Sequence, residues 1–189
     1  MGEGILIYGL NVTGKRQGLS GQTAKSYNRI VEGKIRSLYA DIERNGYSRM
    51  PAFHIGRVEH VMSEHAKRDG LDMETRRIYM NGSTLSHARR DAKRAAGIDV
   101  SVDELAKFPK DRFKMKLLYD KNKRNYLYVS KTAKFIINTR GKMRLQNGRS
   151  HATIFITAEK RHPKEHFNGK QYEVVRMPSK RWDSNPFIR

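Results

Sequence analysis

Between residues 23 and 45 the apolar side chains Tyr27, Ile30, Val31, Ile35, Leu38, Tyr39 and Ile42 recur every three or four positions, and Gly46 follows them. Such positions collect on one face of a 3.6-residue helix, so the spacing predicts an amphipathic helix that stops at the glycine. A second helix is predicted from about Phe53 to Gly70, after Pro51, on the spacing of Ile55, Val58, Val61, Met62 and His65. Beyond Arg76-Arg77-Ile78-Tyr79-Met80, the pair Asn81-Gly82 predicts a turn, and Ser83 or Thr84 can cap a third helix. That helix runs to Ala96 with Leu85, Ala88, Ala92 and Ala95 on its apolar side and Gly97 as its stop. Ser101 and Glu104 have capping-box spacing, which predicts a short helix to about Lys107, before Pro109.

After Pro109 the period changes to two. Phe113, Met115, Leu117 and Tyr119 alternate with Arg112, Lys114 and Lys116, the pattern of a half-buried strand, and residues 120–124 form its turn. Residues 126–130, 134–139 and 152–157 are three further β-rich runs, and residues 4–12 predict a short strand at the N-terminus. The connections are too short for parallel crossovers, so hairpins are expected. The fold class is therefore α+β, with N-terminal helices followed by an antiparallel sheet of about four strands. The chain divides into a strand-and-helix part (1–75), a basic α+β part (76–160) and a basic tail (161–189), whose Pro163, Pro178 and Pro186 suit a segment laid over the surface.

Charge sharpens this division. The 189 residues carry 39 Lys plus Arg against 19 Asp plus Glu, a formal net charge of +20. Through residue 75 there are 11 basic and 9 acidic residues, and after it 28 and 10. A positive field concentrated in one part of a chain suits a polyanionic partner, RNA or DNA. Membrane docking would place the cations on a helix with a bulky apolar opposite face, whereas these are spread over strands, turns and tail, so no membrane partner is expected. The absence of cysteine excludes disulfides, thiolate metal sites and cysteine nucleophiles. No run reaches the roughly 18 apolar residues of a membrane span, and the N-terminus has Glu3 where a signal peptide would be basic. A cytoplasmic or virion-associated location is expected.

The segment from Ile78 to Lys160 carries Ser83-Thr-Leu-Ser-His87-Ala-Arg89-Arg90, then Phe108-Pro109, Asn125-Tyr-Leu-Tyr-Val-Ser130 and Lys134-Phe-Ile-Ile-Asn-Thr139-Arg140. In this pattern it resembles the nuclease domains of the barnase, EndoU, colicin and RelE superfamily, most closely the phage-borne branch. The resemblance implies metal-independent cleavage of RNA by attack of the ribose 2'-hydroxyl on the adjacent phosphate, with no cofactor. It also implies a need for protection of the producing cell, by an acidic immunity protein or by delivery in a virion. Histidine suits both proton transfers of such a reaction. Within the matching region His87 and His151 are the candidate pair, with Thr153 on the same strand face as His151, and Arg90 and Lys134 as phosphate-holding groups. Arg89, Lys131, Arg140, Lys142, Arg144 and Arg149 are candidate nucleic-acid contacts. Tyr126 and Tyr128 can stack bases or fill the core.

Other motifs carry less. Gly14-Lys15-Arg16 lacks the hydroxyl and upstream glycine of a phosphate loop. His54, His60 and His65 are six and five residues apart, which on a helix does not aim two ligands at one ion, and His60 with Glu64 lacks an evident third partner, so no metal site is expected. His162 and His166 are interrupted by Pro163. A non-enzymatic virion or ribosome-associated nucleic-acid-binding protein would need the same charge but no converging proton-transfer pair. An inhibitor that mimics a nucleic acid would be acidic, against the charge found here.

Overall fold

A computed structural model describes residues 21–88, 91–162 and 164–178. The expected strand at 4–12 lies outside them, as do Arg89, Arg90 and Pro163. The elements in chain order are α1 (Gly21–Asn45), β1 (Phe53–Arg57), α2 (His60–Arg68), β2 (Arg77–Met80), α3 (Gly82–Ala88), α4 (Asp91–Ala95) and α5 (Val102–Asp111). A single 3₁₀ turn at Arg112–Lys114 leads into β3 (Lys116–Asp120), β4 (Asn125–Val129), β5 (Ala133–Lys142), β6 (His151–Lys160) and β7 (Tyr172–Arg176).

The protein is α+β, but the sheet differs from the four antiparallel strands expected. Among the described residues it has seven strands in the order β1-β2-β6-β5-β4-β3-β7. The run β3 to β6 is an antiparallel meander, as the short connections require. To it are added β7, antiparallel to β3, and β2, which lies parallel to β6 with Ile78 opposite Thr153 and Tyr79 opposite Ile154. The parallel pair is possible because α3, α4 and α5 together with β3 to β5 form the long crossover between β2 and β6. The antiparallel β1–β2 ladder extends the sheet beyond that pair.

Residues 53–57 are a strand, not the start of a helix. Phe53 and Ile55 are buried with His54 between them, a period of two inside a window whose apolar positions also fit a helix. Gly56 permits close packing: a Cβ there would stand 2.6 Å from the Arg112 guanidinium. The capping box forms as expected, with Glu104 N donating to Ser101 Oγ at 3.2 Å and Ser101 N donating to Glu104 Oε2 at 3.3 Å. Yet α5 continues through Pro109 to Asp111, because Phe108 and Pro109 are buried against the sheet and packing offsets the lost backbone donor. Consequently Phe113 lies in the 3₁₀ turn, and β3 begins only at Lys116.

One apolar cluster joins the helices to one face of the sheet. Val31, Ile35 and Leu38 of α1 meet Leu85, Phe108, Tyr126, Tyr128, Phe135 and Phe155, and the cluster draws on both sides of residue 75. Each such fully buried side chain contributes roughly 1.5–3 kcal/mol relative to exposure. The opposite face carries two smaller clusters, Met143, Leu145, Ala152 and Ile154 near β6, and Leu118, Leu127 and Val129, which Phe167 and Tyr172 cover.

Thr153 is fully buried between β2 and β5. Its hydroxyl donates to Thr75 O at 2.7 Å and lies 3.3 Å from Thr139 O, while its backbone N–H donates to Thr75 Oγ1 at 3.0 Å. Replacing the hydroxyl by a methyl of the same shape would leave a buried carbonyl without its donor. Thr153→Val is therefore expected to lower unfolding stability by about 1–3 kcal/mol, read as a lower denaturant midpoint at unchanged slope; an unchanged midpoint would show that β2 is held by apolar packing alone.

Candidate functional site

Among the described residues, the site candidates singled out from sequence lie on α3, β4, β5 and β6 and on the connections beside them. His87 is half-buried in the last turn of α3. His151 opens β6, with Nδ1 3.0 Å from Ser150 Oγ and Lys142 as its cross-strand neighbour. Thr153 is committed to the β2 contact rather than to a substrate. Lys134 is paired with Glu165 at 2.5 Å and Glu159 at 3.6 Å. Burial pulls its ammonium down, and the two carboxylates more than offset this, so its pKa is raised. Tyr126 and Tyr128 are fully buried in the main core and present no ring face to a base, a correction that follows from their place on the helix-covered face of β4.

The exposed cations divide into two kinds. Arg140 is held by Asp72 at 2.6 Å and Glu74 at 3.1 Å, and Arg149 donates to Glu74 O at 2.9 Å. Lys131, Lys142 and Arg144 are exposed and make no ion pair among the described residues. Lys142 and Arg144 alternate with buried Gly141, Met143 and Leu145, so the arm between β5 and β6 turns both cations outward while its other side packs on β6.

A concave site lies at the β1 edge, where α1, β1, β2 and the β5–β6 connection meet. This cleft, about 430 Å³, is lined by Lys34, Phe53, His54, Arg77, Tyr79 and Asn147 among others. Neither His87 nor His151 lines it. Tyr27 and Lys34 are seven residues apart, so α1 presents both on one face. His54 faces away from the strand positions of Phe53 and Ile55 and pairs across the ladder with Tyr79. Tyr27 Oη lies 2.8 Å from His54 Nδ1, with the rings stacked at 5.8 Å, and Tyr79 meets the imidazole edge-on at 6.2 Å.

Burial pushes the His54 pKa down, and the positive charges of Arg77, Lys34 and Arg57 push it further, to about 4. The ring is thus neutral at pH 7. When Nδ1–H donates to Tyr27, Nε2 keeps a lone pair and can accept a proton; in the other tautomer Nε2–H can donate to an anion. The same cations that repel a proton favour a phosphate in the cleft. A bound phosphate would in turn offset their field and make His54 a stronger base.

Compared with known proteins, the chain matches no family model, no curated protein and no solved structure. Among the described residues no helix is long and apolar enough to cross a membrane.

His54 escaped sequence reasoning because residues 53–57 fit a helical pattern, which left it as one of three unaligned helix histidines. A depressed folded-state pKa means that the unfolded chain takes up the proton first as pH falls below 6.5. The stability this group contributes is present above pH 6.5 and is lost as pH falls to about 4. An NMR titration of the His54 ring is expected to read about 4, and the fall of the melting temperature across that window should be shallower in His54→Gln. A ring that titrates near 6.5 would mean that the cleft is too solvated to tune it.

Proposed function

We propose that this protein binds RNA through its basic surface and cleaves it without a metal ion at the His54 cleft. The observation that carries this is a neutral imidazole, hydrogen-bonded to Tyr27, in a cleft where Lys34 and Arg77 supply positive charge. The resemblance of residues 78–160 to the barnase, EndoU, colicin and RelE nucleases supports the same reaction class, with the proton-accepting group moved from the His87 and His151 pair to His54.

In the proposed step the ribose 2'-oxygen bonds to phosphorus while its proton passes to His54 Nε2. The bond from phosphorus to the 5'-oxygen breaks, that oxygen takes a proton from a water molecule whose hydroxide recovers the proton held by His54, and a 2',3'-cyclic phosphate remains. Lys34 and Arg77 offset the charge that gathers on the phosphate oxygens, and the paired donors of Arg77 match two of them. The exposed Lys131, Lys142 and Arg144 hold the strand by its backbone. An acidic immunity protein would fit over the same cations, and the protein would act in the cytoplasm or be carried in a virion.

The second reading, a nucleic-acid-binding protein without catalysis, draws on the outward cations of the β5–β6 arm, which require no proton-transfer group. End-labelled RNA incubated in excess EDTA separates the two. His54→Gln is expected to lower the cleavage rate about 10²-fold or more while RNA affinity holds. Lys34→Ala with Arg77→Ala should weaken binding and reduce the salt slope by about 0.7 for each phosphate that is no longer neutralised. Intact RNA that still shifts in a salt-sensitive binding assay would leave the second reading in place.

A further inference from the structure

At the opposite side of the sheet from the cleft, α2 meets the edge strand β7. His65, in the last turn of α2, is buried with its side chain only 3% exposed, yet its Nε2 has no hydrogen-bond partner among the described residues. That nitrogen is aimed at two carboxylates: Glu173 Oε1 at 3.4 Å and Asp69 Oδ2 at 3.6 Å. The three donor atoms lie within 4.8 Å of one another.

The far side of the ring explains why this nitrogen is unused. His65 Nδ1 is 2.9 Å from Tyr126 Oη, and Tyr126 directs its own proton towards Met62 O at 3.4 Å. The phenol oxygen therefore accepts Nδ1–H, which leaves the Nε2 lone pair facing two anions. Three ligand atoms converge there, held among the described residues by the Arg68 guanidinium, whose Nη2 donates to Glu173 Oε1, and a metal ion would bind all three at once. The two spacings from Nε2, 3.4 and 3.6 Å, are near the roughly 3.3 Å that separates ligand atoms about 2.0–2.1 Å from one ion in tetrahedral geometry. A hydrogen bond from the second ring nitrogen is also what fixes the orientation of an imidazole that ligates metal.

We propose that His65, Asp69 and Glu173 form a binding site for a divalent transition-metal ion, Zn²⁺ by preference, that ties β7 to α2. One imidazole and two carboxylates suit Zn²⁺ better than Mg²⁺ or Ca²⁺, which favour all-oxygen sites. Arg68 is the competing cation. Its Nη2 donates to Glu173 Oε1 at 2.6 Å and its Nε to Asp69 Oδ1 at 2.7 Å, and at 61% side-chain exposure it can swing into solvent. The site is independent of the His54 cleft, and the metal acts on structure rather than on RNA.

The test is calorimetric titration of Zn²⁺ into the full-length protein after EDTA treatment and dialysis, with Co²⁺ absorption as a second readout. One ion per chain is expected, with the visible spectrum of four-coordinate Co²⁺. Asp69→Asn and Glu173→Gln, both conservative and at partly exposed positions, should each lower the affinity at least about tenfold, the low end of what even an outer-shell partner is worth. Arg68→Ala should raise it, because the competing guanidinium is gone. Absence of binding to wild type, or uptake that is unchanged in the Asp69→Asn Glu173→Gln double variant and so belongs to other histidines, would overturn the proposal.

Discussion

The position of β2 rests on two hydrogen bonds that Thr153 donates to Thr75, from its amide to the hydroxyl and from its hydroxyl to the carbonyl. Only two residue pairs of β2 are in register with β6, too short a ladder to seat a strand alone. The Thr153 hydroxyl and amide extend that ladder backwards by three residues, Glu74 N adds a bond to Thr139 O, and Arg149 closes on Glu74 O. Everything at this end of the sheet follows from that seating. Among the described residues β1 pairs only with β2, so His54 has its place because β2 has its own. The same register sets Tyr79 beside the imidazole and carries the chain into α3, capped by Asn81 Oδ1 accepting from Thr84 N.

Net charge gives a poor map of where anions bind, because much of it is spent within the fold. Arg112 is buried, donates to the carbonyls of Pro109 and Arg57, and stacks its guanidinium on Phe113 at 4.4 Å. Arg176 bridges Glu59 to the carbonyls of Arg112 and Phe113, which fixes β7 to the turn before β3. Lys93 reaches from α4 to Thr157 and Glu159, and Glu159 also faces Lys134. These cations join elements that meet late in the sequence. A buried or shared charge of this kind is costly to leave alone, so it specifies neighbours more than it attracts ligands.

Elements whose pattern had one interpretation were legible in the sequence. Val31, Ile35 and Leu38 belong to a repeat too long for anything but a helix, the Ser101 and Glu104 box fixes its own geometry, and β4, β5 and β6 alternate between turn signals. Three features were not. Phe53 to Val58 is short enough to satisfy both periods, and only its pairing with β2 decides. β7 is polar on half its length, with Val174 exposed, and becomes a strand because β3 offers it a free edge. A parallel partner for β6 from some 75 residues earlier leaves no local trace. The candidate site followed the same logic: Tyr126 and Tyr128 share a strand face, as their spacing requires, but which face the helices cover is a tertiary fact.

The histidines at the two ends of the sheet show how far surroundings outweigh residue type. His54 and His65 each meet a tyrosine hydroxyl through Nδ1, at 2.8 and 2.9 Å, so the near side of each ring is held alike. Their far sides face opposite fields. Around His54 stand Lys34, Arg57 and Arg77, which disfavour the imidazolium and favour an anion beside the neutral ring. Around His65 stand Asp69 and Glu173, carboxylates that Arg68 already engages from the solvent side. Each field is only partly visible in local sequence: Arg57 and Asp69 lie near their histidines along the chain, but Lys34 and Arg77 come from α1 and β2, and Glu173 comes from β7. One strand pairing therefore surrounds an imidazole with cations and another surrounds one with carboxylates, although each ring meets a tyrosine hydroxyl in the same way.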